Sequence, residues 1–426
     1  MKRILILSVG GSAEPIINAI KKDKSDYVYF LCSAGPKGSE ITIDGFGDPC
    51  GDKRRTKCPA CDHEFYLGNP KGKAIVFQAG LTSSQYDVLT VEDPDDLDEC
   101  YEKLLKLADM IETQHGKNCR IIANYTGGTK TMSVTMALVG LLTEKWDLSI
   151  NIGPRPDLIK VKSGDVPVRI DKWRVFCQTQ IESVRKSIRN FDYAFAHYLI
   201  TEMLQHSLDK TFRIKLLAAA QLCQAFDLWD KFEHDKALAL LESYGAYFSQ
   251  HIITLKQILK KQRKVCGYEM VGDLLNNATR KAHRRYYDDA VGRIYRATEL
   301  FAQIRLKKQY RYDTSNILLT DLPENLQKQY ISRVKEKNKL ILGLQEDYEL
   351  LSKLKDHVGQ KYFQQKKEIK DALSYRNNSI SAHGLKPLDE DDYRYVKNTL
   401  QGFIESVSKD INIDFKISQL PQEGII

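Results

Sequence analysis

Arg120-Ile121-Ile122-Ala123-Asn124-Tyr125-Thr126-Gly127-Gly128-Thr129-Lys130 decides the reading of the first third of this chain. The apolar run over 120–124 reads as a buried strand, two glycines interrupt it, and an apolar helix follows over 131–142. A strand that turns through glycine into a helix is one joint of a βαβ unit. It leaves backbone N–H groups and a helix N-terminus facing outward at the strand end, where an anion is favoured. The chain opens the same way, with a strand over 3–8, then Val9-Gly10-Gly11-Ser12, then a helix from about Pro15.

Working outward, strands are expected at 27–32, 74–77, 148–152, 158–162 and 166–170, the last two as a hairpin around Ser163-Gly164-Asp165, and a helix at 95–114 with acidic first turns. Alternating strands and helices predict an α/β, Rossmann-like sensor domain with a mostly parallel sheet over residues 1–172. Neither glycine loop has the spacing of a phosphate-binding Walker loop or a dinucleotide fingerprint. The candidate ligand-binding residues are Gly10, Gly11, Ser12, Asn124, Thr126, Gly127, Gly128, Thr129 and Lys130. Tight turns in an α/β fold would account for the same glycines without a ligand.

A chain of 426 residues accommodates two or three domains. No apolar run approaches the roughly 20 residues a spanning helix needs, and Met1-Lys2-Arg3 leads into a strand without a signal-peptide pattern, so a cytoplasmic protein is expected. Nine scattered cysteines argue for reduced thiols and one metal site, not a disulfide framework. Residues 33–72 read as an insertion, and in it Cys58-Pro59-Ala60-Cys61, with Cys50 before and His63 after, is half of a zinc knuckle. Free surface thiols are the alternative. Any zinc there would be structural.

Charge is uneven. Residues 1–172 hold 23 Lys and Arg against 24 Asp and Glu, whereas 173–426 hold 41 against 32. The basic clusters at 260–264, 280–287 and 305–308 describe either a solvated helix surface or a track for a phosphate backbone. Strand signals nearly vanish after Trp173, and helices are expected over 180–208, 212–225, 228–244, 252–263, 271–285, 288–308, 327–339, 347–355 and 362–375. This gives a helical connecting region at 173–286 and an all-α domain at 287–426. In the helix over 288–308, Ala290, Ile294, Ala297, Phe301 and Ile304 form one apolar stripe, with Arg296 and Glu299 off it as supporting site candidates.

Near the far end stands Arg376-Asn377-Asn378-Ser379-Ile380-Ser381-Ala382-His383. If the preceding helix continues, residues seven apart share a face about 10 Å apart along the axis. Arg376 can hold a phosphate and His383 can move a proton near neutral pH. That pair suits RNA cleavage through the 2′-hydroxyl. Spacing alone fits an exposed polar helix equally well.

The stretch resembles the Arg, four to six residues, His signature of HEPN ribonucleases, with polar Asn377 after the arginine as a third catalytic candidate. Asn124-Tyr125-Thr126-Gly127-Gly128-Thr129-Lys130-Thr131-Met132, with the early Gly/Ser loop, resembles the CARF domain of effectors from type III CRISPR systems. Together they resemble the CARF-HEPN ribonucleases. The resemblance implies a homodimer whose sensor domains bind a cyclic oligoadenylate and whose HEPN domains cut single-stranded RNA in antiviral defence; ring size depends on pocket width, and four adenylates are expected over six. Catalysis would need no metal cofactor, because the nucleophile lies within the substrate. The sensor loop could also open its ring slowly. A nucleotide-responsive binder that regulates nucleic acid without cutting it is the alternative, although no helix-turn-helix pattern stands out.

Overall fold

The computed structural model describes residues 1–35, 37–46, 54–66, 69, 71–143, 145–153, 165–262, 265–334, 339–382 and 384–426. The chain divides into two compact units, Met1–Thr179 and Gln180–Ile426.

The first unit is built on β1 (Lys2–Ser8), β2 (Tyr27–Ser33), β3 (Arg55–Lys57), β4 (Glu64–Tyr66), β5 (Tyr86–Val91), β6 (Cys119–Asn124), β7 (Trp146–Ile152) and β8 (Val166–Ile170). Six of these form one sheet in the order β5-β2-β1-β6-β7-β8. All its pairs are parallel except β7 with β8. Ile4, Leu5, Ile6 and Leu7 of β1 are fully buried, as expected for a central parallel strand covered on both faces. One face packs on α1 (Glu14–Asp23) and the short α2 (Ile75–Ala79), the other on α3 (Leu97–His115) and α4 (Lys130–Leu142).

The strand expected at 74–77 is the helix α2, closed by Gly80 at φ +74°. The edge position belongs to β5, where Tyr86, Val88 and Thr90 alternate with Asp87, Leu89 and Val91 in the register of β2. An apolar run of four residues fits either element by pattern, and the glycine cap decides for the helix. The strand expected at 158–162, and hence its hairpin, lies outside the described residues. The strand expected at 166–170 is present as β8, paired with β7.

The helices of the remainder are α5 (Trp173–Arg189), within which the units divide, α6 (Tyr193–Met203), α7 (Lys210–Asp230), α8 (His234–Leu241), α9 (Gly245–Ile258), α10 (Glu269–His283), α11 (Tyr287–Tyr310), α12 (Glu324–Tyr330), α13 (Leu344–Lys353), α14 (His357–Gln364), α15 (Lys366–Asn378), α16 (Glu390–Val396) and α17 (Gly402–Asp410). The apolar stripe of α11 is the spine of the second unit's core, with Ala290, Ile294, Ala297 and Phe301 fully buried. The helix expected over 180–208 breaks at Phe191, which is left-handed at φ +56° and buried, and Asp192 caps the next helix. The one expected over 362–375 is two, separated at Gln365. Among the described residues no helix is long and apolar enough to cross a membrane.

Much of the expected phosphate track is spent inside the protein. Arg280 is 1% exposed and donates to Asp230 at 2.7 Å, with Lys281 on the same carboxylate at 2.9 Å. Arg284 pairs with Asp192, Arg305 with Asp356 and Lys307 with Asp313. All of these partners but Asp313 lie 50 or more residues away in sequence, so a local count of charge overstates the free positive surface.

Candidate functional site

In the sheet, β1 connects outward to β2 on one side while β6 lies on the other. Strand order reverses there, and the carboxyl ends of β1 and β6 at such a point are the usual ligand position in an open α/β sheet. The two glycine loops meet at those strand ends and touch. A Cβ on Gly10 would stand 2.6 Å from the Gly128 nitrogen, and Gly128 itself is left-handed at φ +84°. Both positions therefore require glycine.

The second loop is held from beneath. The Gly127 carbonyl accepts the hydroxyls of Ser8, at 2.6 Å, and Ser133, at 3.0 Å. In a trans planar peptide the N–H points opposite to the carbonyl, so the Gly128 N–H is directed away from those hydroxyls. Thr126 donates its hydroxyl to Asn124 Oδ1 at 2.6 Å and accepts the Asn151 N–H at 2.8 Å. The Asn124 amide donates to Ser149 Oγ and to Asn151 Oδ1, and the Asn151 amide donates to the Pro15 carbonyl and to Asp165. Asn18 of α1 donates to the other oxygen of Asp165. Thr129 caps α4, accepting the Met132 N–H and donating to the Pro94 carbonyl.

Asn124, Thr126 and Thr129 thus shape the loop with their side chains, while the glycine backbone and exposed Lys130 remain on its outer side. Gly10, Gly11 and Ser12 line the opposing loop. Sequence reasoning missed Ser8, Asn151 and Asp165. Ser149 and Asn151 carried the signal: polar residues two apart on one face of a buried strand need partners.

In the second unit, α15 buries Ile369, Ala372 and Leu373 and carries Arg376 in its last turn. The guanidinium carbon lies 4.8 Å from the centroid of the Tyr295 ring on α11, and its only hydrogen bond among the described residues is a long one, 3.4 Å, to Asn377 Oδ1. The helix ends at Asn378, so the shared helical face expected of Arg376 and His383 does not exist. Ser379 is extended and buried, its hydroxyl donates to the Arg376 carbonyl, and its own carbonyl accepts the N–H groups of Ala382 and Gly384. His383 itself lies outside the described residues.

On α11, Arg296 donates to Glu299 at 2.6 Å and to Gln303 at 3.0 Å. Behind them Asp347 of α13 is fully buried, and both its oxygens lack a hydrogen bond of ordinary geometry. Burial first, then the charges of Glu299 and Glu346, push its carboxyl up to about 8, with Gln303 and Arg296 offsetting only part of that. Burial also raises the Tyr295 hydroxyl, with Glu299 adding to it and Arg376 opposing.

Cys58 and Cys61 sit at the tip of the β3–β4 hairpin, where the Cys58 N–H donates to the His63 carbonyl at 2.9 Å. N–H groups of Ala60 and Cys61 lower the Cys58 thiol below its ordinary value. Among the described residues no three His, Cys, Asp or Glu side chains converge, so Cys58, Cys61 and His63 do not make a metal site by themselves. Cys50 lies outside the described residues.

Residues 256–407 match the family model of the Csm6 HEPN domain. No curated protein matches the chain. Among solved structures, Enterococcus italicus Csm6 bound to cyclic hexa-2′-fluoro-hexa-dAMP is similar at a TM-score of 0.60, covering 96% of this chain and 94% of that one with 13% sequence identity. The fold is that of the Enterococcus protein, a mostly parallel α/β unit followed by a helical unit. The segment that matches the Csm6 HEPN model lies wholly within the helical unit.

Proposed function

We propose that this chain is an endoribonuclease switched on by a cyclic oligoadenylate, cutting single-stranded RNA in type III CRISPR antiviral defence. The observation that carries this reading is the union of a Csm6-type HEPN segment, bearing Arg376 without an acidic partner among the described residues, with a sensor sheet whose two glycine loops meet at the switch point. Arg376 binds the scissile phosphate and stabilises the charge that develops on it, while His383, with Asn377 beside the arginine, manages the proton. The 2′-oxygen attacks its neighbouring phosphorus and loses its proton. The 5′-oxygen leaves and gains one, giving a 2′,3′-cyclic phosphate and a 5′-hydroxyl. The nucleophile lies within the substrate and needs only positioning and proton transfer, so activity is expected to persist in EDTA.

A two-fold dimer brings two Arg376–His383 pairs to one cleft. An apolar row on the sensor unit supports a second copy: Val134, Leu138 and Leu142 of α4 are 52%, 39% and 57% exposed, at successive turns of one face. Ring opening by the sensor loop has less support, because the hydroxyls of Thr126 and Thr129 already donate within the protein. Cyclic tetra-adenylate is the first activator to try, and the cyclic hexa-nucleotide analogue bound by the Enterococcus protein makes cyclic hexa-adenylate the necessary second arm.

The test is labelled single-stranded RNA with EDTA and cyclic tetra-adenylate, cyclic hexa-adenylate or neither, for wild type, Arg376→Ala and His383→Ala. Ring-dependent cleavage, lost in both variants, is expected. Tight ring binding with no cleavage by wild type would replace the nuclease with a regulatory binder.

A further inference from the structure

We infer that Tyr295 is a positioning residue for Arg376, its ring holding the guanidinium in place while leaving its charge and its donors free for a phosphate; this rests on the nuclease reading of Arg376. The two residues are 81 apart in the chain, and packing of α11 against α15 brings them together, with 4.8 Å from guanidinium to ring centroid. Tyr295 is half-buried and packs on the apolar core beside fully buried Ile294, so the ring is fixed from behind. A phosphate-binding arginine has to be fixed by something. An adjacent carboxylate would fix it at the cost of its charge and of the paired N–H fork that a phosphate uses. An aromatic face attracts a cation through its quadrupole and neutralises nothing.

The surroundings agree with that division of labour. Glu299 stands one helical turn beyond Tyr295, and its charge, like that of Arg376, acts on the Tyr295 hydroxyl. Glu299 itself is engaged by Arg296 at 2.6 Å, and Gln303 holds the same guanidinium at 3.0 Å. No ion pair to Arg376 exists among the described residues. Arg296 and Glu299, singled out in the sequence as supporting site residues, therefore act on each other, and Tyr295 is what touches the arginine.

The experiment compares Tyr295→Phe, Tyr295→Leu, Arg376→Ala and Tyr295→Leu/Arg376→Ala in ring-activated RNA cleavage at saturating activator. Phe keeps the ring and is expected within about twofold of wild type. Leu removes it and is expected to lower kcat/KM on the order of threefold to thirtyfold, the span of a cation–π contact. Any residual cleavage in the Arg376→Ala background should be the same with and without the Leu substitution, since that substitution acts only through the arginine. Thermal midpoints check folding, and Tyr295→Met takes the place of Leu should Leu fail to fold.

A spectrum of protein labelled with 15N-arginine gives a readout independent of turnover: the Arg376 Nε–H resonance, shielded by the ring, should move in Tyr295→Leu and stay in Tyr295→Phe. Full activity and an unmoved resonance in Tyr295→Leu, with Arg376→Ala inactive, would overturn the role of Tyr295 and leave the nuclease reading intact. Equal damage in Phe and Leu would overturn it too, assigning the effect to the hydroxyl. An active Arg376→Ala would instead remove the nuclease assignment of the arginine, whatever Tyr295 does.

Discussion

Replacing Asp347 by Asn should change how the helical unit's stability depends on pH. In the unfolded chain an aspartate titrates near 3.9, whereas burial beside Glu299 and Glu346 holds Asp347 at about 8 in the fold. Between those values the unfolded state has released a proton that the folded state retains. Stability must therefore fall as pH rises across that window, by roughly 1.4 kcal/mol per pH unit, and level off above about pH 8. From pH 5 to pH 7 the loss is about 2.7 kcal/mol, or about 5–10 °C in Tm for a unit of this size at roughly 2–4 °C per kcal/mol.

Asparagine is isosteric with the protonated acid and cannot ionise. Asp347→Asn should match wild type near pH 5 and exceed it increasingly up to pH 8. The assay is thermal unfolding by circular dichroism at pH 5, 6, 7 and 8 and constant ionic strength, read as the difference between variant and wild type so that every other titrating group cancels. Parallel Tm profiles over that range would refute the reasoning, because they would mean that the carboxyl is solvated or paired in solution.

Gly10→Ala should force the two sensor loops apart, since the new Cβ meets the Gly128 backbone at 2.6 Å; calorimetric titration should find cyclic oligoadenylate bound about tenfold more weakly or worse, a cost of 1–3 kcal/mol for overpacking, and unchanged affinity would remove the loop contact from the site. We also propose that Cys58 and Cys61 hold a structural zinc with ligands from beyond the described residues. Elemental analysis should find zinc in wild type and not in Cys58→Ser/Cys61→Ser, with the latter less heat-stable, while zinc-free wild type would leave them as surface thiols.

What was legible in the sequence is what repeats along the chain. The apolar run of β1, the stripe of α11 and the glycine loops each state a local period or a break, and each stands where it was expected. The errors came where one period was carried past its end. Helical spacing was extended through Asn377-Asn378-Ser379, although such side chains compete with the helix backbone for hydrogen bonds and favour its termination. Ser379 does this here, turning the chain back on itself. Arg280 was counted as surface charge because its partner, Asp230, lies 50 residues earlier on α7. No local pattern reveals a pairing of that kind.

The sensor loop carries this argument furthest. Asn124, Thr126 and Thr129 look like ligand-binding side chains in sequence, yet their polar groups are satisfied by Asn151, Ser149, Met132 and Pro94. A buried polar network of this kind fixes one loop conformation, because breaking any member strands another without a partner. On the proposed function, what is left to meet the activator is backbone N–H, the close approach that glycine permits, and the charge of Lys130. Recognition then depends on the shape that the network imposes. A substitution at Asn151, remote from the ligand, should accordingly disturb binding as much as one at Thr126, because both act by releasing the same loop.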